Sequence, residues 1–250
     1  QRALFMQKNS NLKVVIVIPA RYQSSRLPGK PLIDLCGKSM IERTYNQCCL
    51  AVDKSDIYIA TDDTRIKKHC EILNMQVLMT TKDCLTGTDR VYQASKQVLA
   101  DIYINVQGDE PIINPKNIKT IINVSLKNPN FVINAMSTIG EDEFQSANIP
   151  KVVTRLDNRL LYMSRAGIPT NKSIEFTCAK KQICIYAFPR KSLADFSKYI
   201  QKTPLENIED IEVLRFLEIG YEVQMVDVSS TSIAVDVPED IEKVEKILNA

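Results

Sequence analysis

The chain is poor in the residues that most metal and covalent chemistry requires. It has a single histidine, His69, and no Cys-x-x-Cys pair among its seven cysteines, Cys36, Cys48, Cys49, Cys70, Cys84, Cys178 and Cys184. A zinc site of ordinary ligand spacing is therefore not expected, and no nucleophile–histidine pair suggests a covalent intermediate. The odd cysteine count and the lack of a signal peptide point to reduced thiols and a cytoplasmic location. No apolar run approaches the roughly 18 residues of a membrane span. Charge of one sign is not in excess either. The 32 basic and 30 acidic side chains leave a net charge of +2, too even for a general nucleic-acid or membrane-surface binder. Low-complexity linkers, long charge runs and repeats are missing.

What is present is the balance of an ordinary globular protein, 44% apolar and 25% charged over 250 residues. That is enough for one large α/β domain with an appended lobe. Strand and helix signals alternate. Strands are expected at Val14–Ile18, Asp56–Ala60, Gln76–Met79 and Ile102–Val106. Helices are expected at Met40–Leu50, with Ser39 as N-cap, and at Thr64–Leu73, Gly87–Leu99 and Pro115–Leu126. This rhythm predicts a parallel, doubly wound sheet. The second half reads as strands at Phe131–Thr138, Lys151–Arg155, Leu160–Met163, Gln182–Phe188 and Glu222–Val228. Helices follow at Glu206–Leu217 and Pro238–Leu248. The expected organisation is a single domain over 14–250, with residues 1–13 an N-terminal extension. Within it, 14–130 form a nucleotide-binding half, 131–236 finish the sheet and add a smaller substrate and dimerisation lobe, and 237–250 are a closing helix.

Three segments carry the chemical signal. In VVIVIPARYQSSRLPGKPL, Val14 to Leu32, an apolar strand empties into a loop bearing Arg21, Arg26 and Lys30 beside Gly29. Such a place in an α/β protein suits phosphate. The loop follows neither the Walker nor the Gly-x-Gly-x-x-Gly pattern, and a solvated basic turn is the competing reading. In INVQGDEP, Ile104 to Pro111, carboxylates lie just beyond a buried strand. Asp109 there could hold Mg²⁺, or Asp109 and Glu110 could merely cap the next helix. In AVDVPED, Ala234 to Asp240, Asp236 repeats the pattern, and one Mg²⁺ shared by Asp109 and Asp236 would explain both; a plain helix cap is again the alternative. Lesser signals are Thr61-Asp62-Asp63, near the nucleotide or capping a helix, and Thr86-Gly87-Thr88-Asp89-Arg90. The latter opens a helix whose free N–H groups would meet a base or sugar hydroxyl. Ser164-Arg165 offers a guanidinium to a substrate carboxylate. His69 reads as a surface residue.

Taken together, these motifs resemble the 3-deoxy-manno-octulosonate (Kdo) cytidylyltransferase family. The pieces are IPARYQSSRLPGKPL, ATDD at Ala60–Asp63, TGTDR, INVQGDEP, KVV at Lys151–Val153, LYMSRAGIP at Leu161–Pro169, and VDVPEDIEKV from Val235. They run in the family's order from Val14 to Ile247. The resemblance implies a Rossmann-like nucleotidyltransferase fold with a mostly parallel central sheet, usually as a homodimer. It implies transfer of CMP from CTP to the anomeric hydroxyl of an acidic sugar, with release of pyrophosphate. By position, Arg21, Arg26 and Lys30 correspond to triphosphate ligands. Pro19, Ala20, Thr86, Gly87, Arg90 and Gln107 fall on the nucleotide side. Asp109 and Asp236 correspond to the metal ligands, so that the chemistry rests on Arg21, Lys30, Asp109 and Asp236.

The acceptor side departs from the family. Gln182-Ile183-Cys184-Ile185-Tyr186 stands where His-Leu-Gly-Ile-Tyr is typical, and Glu212-Val213-Leu214-Arg215 where Glu-Gln-Leu-Arg is typical. Arg165, Gln182, Tyr186, Glu212 and Val213 are the expected acceptor residues. A valine cannot make the hydrogen bonds of a glutamine, and sites built around a hydroxyl discriminate strongly on that bond. Either the pocket is rebuilt around Kdo by compensating residues, or the acceptor is another 3-deoxy sugar acid or related anion. A non-catalytic nucleotide-binding protein on the same scaffold is the third reading.

Overall fold

The computed structural model describes residues 12–23, 27–229 and 232–249. The chain opens with β1 (Val14–Ala20), a small hairpin of β2 (Asp34–Leu35) and β3 (Lys38–Ser39), and α1 (Met40–Cys49). There follow β4 (Ile57–Thr61), α2 (Thr64–Ile72), β5 (Gln76–Met79), α3 (Gly87–Ser95), β6 (Ile102–Val106) and α4 (Pro115–Lys127). Next come β7 (Val132–Ile139), α5 (Glu141–Gln145), β8 (Lys151–Thr154), β9 (Leu160–Ser164) and β10 (Ala179–Pro189). The chain ends with α6 (Arg190–Phe196), α7 (Pro204–Glu209), α8 (Val213–Glu218), β11 (Val223–Asp227) and α9 (Pro238–Leu248).

The main sheet runs β11-β7-β10-β6-β1-β4-β5, with β8 and β9 branching from the end of β10. Alternation along β1 explains why both faces are covered. Val15 and Val17 join a core with Val91 and Ala94 of α3, Phe196 of α6 and Phe216 of α8. Ile16 and Ile18 face the other way, into Ile41 of α1, Ile66 of α2 and Ile118 of α4. A strand buried on both faces must read as a continuous apolar run, as this one does. β1 pairs in parallel with β4 on one side and β6 on the other. The sheet therefore changes winding direction at β1, and the crevice past the carboxyl ends of β1 and β6 is where such sheets bind ligands.

Local signals place several elements. Ser39 caps α1 by accepting from the Glu42 N–H, and Asn114 caps α4. β10 is antiparallel to both β6 and β7, within the mostly parallel sheet expected from the sequence. One expectation needs correction. The helix expected over Glu206–Leu217 is two, α7 and α8, broken at Asp210, whose φ of 52° is left-handed. Aspartate tolerates that conformation better than most residues. The carbonyl of Asp210 accepts from Arg165 Nη2 at 2.9 Å, an anchor far away in sequence that helical periodicity cannot reveal. No described helix is long and apolar enough to cross a membrane.

Candidate active site

The carboxyl ends of β1 and β6 meet because Gly108 permits it. A Cβ at Gly108 would lie 2.9 Å from the Pro19 carbonyl oxygen, so only glycine lets the two strand ends approach. The Val235 N–H then donates to the Asp109 carbonyl at 2.9 Å and brings the 234–236 segment alongside. These contacts frame a cavity of about 320 Å³.

Lys30 is the centre of one wall of this cavity. It follows Gly29, whose φ of 72° is left-handed and whose N–H donates to the Tyr22 carbonyl at 2.9 Å. The Lys30 ammonium donates to Asp109 Oδ2 at 2.7 Å, to the Val235 carbonyl at 2.9 Å and to Asp236 Oδ1 at 3.3 Å. Burial opposes its charge, but the two carboxylates outweigh burial and hold its pKa above the usual value. Residues 79, 205 and 206 positions away from Lys30 are thus joined by one cation. This geometry answers the capping alternatives. α4 is capped by Asn114, and the N–H groups of Asp236 and Val237 are met by the Asp240 carboxylate, while the Asp109 and Asp236 side chains turn to Lys30.

Asp109 and Asp236 are also the residues fit to hold a hard cation. Their oxygens converge on a position already occupied by positive charge, and all-oxygen donors suit magnesium. No group of three or more His, Cys, Asp or Glu side chains among the described residues is arranged to hold a metal by itself. A cation here would need further oxygens from water or a bound phosphate.

Pro19, Ala20, Arg21, Thr86, Gly87, Arg90 and Gln107 all line the cavity, while Arg26 lies outside the described residues. Arg90 is nearly buried and is held by the Thr80 hydroxyl and by Asp62 Oδ1 at 3.3 Å. Asp63 caps α2 and forks onto Arg65, so that part of the Thr61–Asp63 motif is a cap. His69 is partly buried and meets the Ser39 hydroxyl at 2.7 Å.

On the acceptor side the structure separates residues that the sequence grouped. Glu212 lines the cavity but accepts from Gln107 Nε2 at 3.0 Å and from the Thr88 N–H at 2.9 Å. It therefore fixes the Gln107 amide and the start of α3. Val213 does not line the cavity; it is fully buried in the core beside Leu214 and Phe216. Val213 itself therefore offers no group to the cavity. Tyr186 lines the cavity, and burial pushes its phenol well above the usual range. Gln182 lines it too, and its amide donates to Asn134 Oδ1 at 2.9 Å. Asn134 in turn donates to the Ile183 and Ile185 carbonyls at 3.0 and 2.9 Å. These bonds staple a bulge in β10 that also carries Cys184 to the cavity; bulges beside sites re-aim side chains in this way.

Sequence reasoning missed Asn134, whose only signal was one amide in an apolar strand. Glu110, offered by the sequence only as a helix cap, is instead a fully buried carboxyl bonded by the Ser232 hydroxyl and pushed up to about 7 chiefly by burial. Lys202 and Asp210, which line the cavity from either end of α7, carried no sequence signal at all.

A family model described as Cytidylyltransferase matches residues 15–232. The 3-deoxy-manno-octulosonate cytidylyltransferase of Escherichia coli is 36% identical, over 94% of this chain and 96% of that protein. The 8-amino-3,8-dideoxy-manno-octulosonate cytidylyltransferase of Shewanella sp. (strain W3-18-1) is 39% identical, over 96% of this chain and 100% of that protein. A solved CMP:2-keto-3-deoxy-manno-octonic acid synthetase complexed with CTP superposes with a TM-score of 0.88. It is 36% identical and covers 95% of this chain and 98% of that one. With a shared fold, identity above a third and near-complete coverage in both directions, the chain belongs to the 3-deoxy-manno-octulosonate cytidylyltransferase family of nucleotidyltransferases.

Proposed function

We propose that this chain transfers CMP from CTP to the anomeric hydroxyl of a 3-deoxy sugar acid, Kdo by default, and releases pyrophosphate for lipopolysaccharide or other surface-polysaccharide synthesis. The observation that carries the reading is Lys30, held between Asp109 and Asp236 where β1 and β6 end. The anomeric oxygen bonds to the α-phosphorus as the bond to the pyrophosphate oxygen breaks. Arg21 and Lys30 meet the triphosphate and neutralise charge that moves onto the leaving group, a role that the family resemblance extends to Arg26. Glu212 holds Gln107 in one orientation for the nucleoside. Asp109 and Asp236 would hold Mg²⁺, which when bound supplies charge stabilisation to phosphate oxygens. The fold's other expectations join this reading. The family resemblance supports a homodimer, and exposed Leu156 and Leu161 on the β8–β9 hairpin offer apolar surface for it. Seven unpaired cysteines support a reducing, cytoplasmic setting.

A second acceptor has support of its own. The Shewanella relative's name specifies an 8-amino sugar, and Gln182 alters the cavity wall in this chain. Pyrophosphate release settles the choice, measured with CTP, Mg²⁺ and a panel containing Kdo, its 8-amino analogue and other sugar acids. Release with Kdo is expected. Release with the amino sugar alone would replace the acceptor, and no release with any acid would sink the enzyme reading.

A further inference from the structure

The proposed reaction needs a cation for the acceptor's carboxylate, and the arginine that the sequence nominates lines the cavity but spends three of its five N–H donors on backbone carbonyls. Arg165 Nε donates to the Glu209 carbonyl at 2.5 Å, Nη1 to the Ala147 carbonyl at 3.0 Å and Nη2 to the Asp210 carbonyl at 2.9 Å. Its own N–H is held by Glu209 Oε2 at 2.8 Å. This guanidinium ties the end of α7 to the chain before β8. The buried Lys151 is engaged in the same way, with the Ser146 and Arg165 carbonyls at 2.7 and 2.5 Å. Lys181 is paired with Glu143.

Lys202 differs. It lines the cavity, and its ammonium donates to Asp210 Oδ1 at 2.5 Å. An ammonium has three N–H donors, so that bond leaves it capacity for an incoming anion. The lysine is well placed to stay put. The next residue, Thr203, caps α7 through a reciprocal pair of bonds with Glu206, and the Thr203 hydroxyl also meets Glu218 at 2.5 Å. Asp210 sits at the other end of α7, with its backbone clamped by Arg165 and its carboxylate 70% exposed. Lys202 first, then Arg165 and Arg21, hold the Asp210 carboxyl below its usual range, which places Arg21 of the phosphate side within electrostatic reach. Lys30 already shows one ammonium of this cavity shared between two carboxylates.

We propose that Lys202 receives the acceptor's carboxylate, with Asp210 as the counter-ion that positions it and Arg165 as the strut beneath both. This rests on the sugar-acid reading of the cavity and names a contact within it. The lysine would sit between the Asp210 and substrate carboxylates, a charge-assisted arrangement that a neutral side chain cannot replace.

The experiment is steady-state pyrophosphate release by wild type, Lys202→Met, Lys202→Arg and Asp210→Asn, with CTP binding followed separately by calorimetry. Lys202→Met should raise KM for the sugar acid about 10- to 100-fold, the span of a lost charge-assisted hydrogen bond, with CTP binding within about twofold of wild type. Lys202→Arg should recover most of the loss. Asp210→Asn should change KM for the acid and leave CTP binding alone. The amide of the same sugar acid should be used no worse by Lys202→Met than by wild type. An unchanged KM for the acid, equal losses for acid and amide, or a defect confined to CTP would each overturn the proposal. Should Lys202→Met fail to fold by circular dichroism, Lys202→Gln carries the same comparison. If wild type uses no sugar acid, the parent reading fails instead, and that is seen before any variant is made.

Discussion

Lys30 shows how one side chain organises a site. Its three N–H donors are matched by two carboxylates and a carbonyl drawn from the ends of separate segments. Removing it leaves Asp109 and Asp236 facing each other without a counter-charge. Lys30→Ala should therefore raise KM for CTP by roughly tenfold or more, the effect of losing a charged hydrogen-bond donor. Asp109→Asn keeps the shape and removes the charge, so the fold should survive while turnover falls on the order of 100-fold. Steady-state kinetics beside circular dichroism reads both. A wild-type rate in Asp109→Asn would refute the metal assignment, and an unchanged CTP response in Lys30→Ala would count against the phosphate cradle.

At the scale of elements, what matters is how α7 and α8 are wired to α3. Arg215 is fully buried, with Nε and Nη2 on Glu206 at 2.6 and 2.7 Å and Nη1 on Asp89 at 3.1 Å. Asp89 completes the cap of α3 at Thr86, on the cavity wall. Arg215→Met would strand the Glu206 charge inside the protein, at a cost of about 3–5 kcal/mol. At about 2–4 °C per kcal/mol for a chain of this size, Tm should fall on the order of 10 °C by calorimetry. Arg215→Met with Glu206→Gln should recover part of that fall. α2 makes a pH prediction. The Arg65 hydrogen bond holds the Asp63 carboxyl down to about 2. A depressed carboxyl stabilises the folded state above its unfolded pKa and loses that contribution as pH falls through the folded one. Melting temperatures recorded from pH 5 down to pH 2 should therefore drop less steeply in Asp63→Asn than in wild type. The effect is small, because the pair is solvent-facing.

The whole molecule reports on itself through its thiols. Cys36 and Cys178 are exposed, whereas Cys48 is fully buried, burial pushes the Cys70 thiol up to about 12, and Cys184 is pushed well above its usual range. An alkylating reagent at pH 8 should label the exposed pair quickly and the buried Cys48 and Cys70 only at the rate of unfolding, with Cys184, which reaches the cavity wall, falling between them. Mass spectrometry of labelled peptides checks this, and fast labelling of Cys70 would show that α2 opens locally. The same scale shows what was legible beforehand. The doubly wound half could be read because apolar runs such as Val14–Ile18 and Ile102–Val106 are long and uninterrupted, and ordered motifs placed Asp109 and Asp236 on one site. The antiparallel course of β10 could not, since strand direction leaves no mark on periodicity. Nor could the break at Asp210, where a tertiary bond from Arg165 overrides local helical preference. The sequence by itself determined the layers, the winding order and the residue types gathered at the β1 and β6 ends, because burial pattern and chain order are properties of the strand alone. Only the tertiary structure decided which charged groups are already partnered. It gave Arg165 to backbone carbonyls, Val213 to the core and Glu212 to Gln107, and it brought Lys202 and Asp210 to the cavity, because pairing depends on distances between segments that no local pattern encodes.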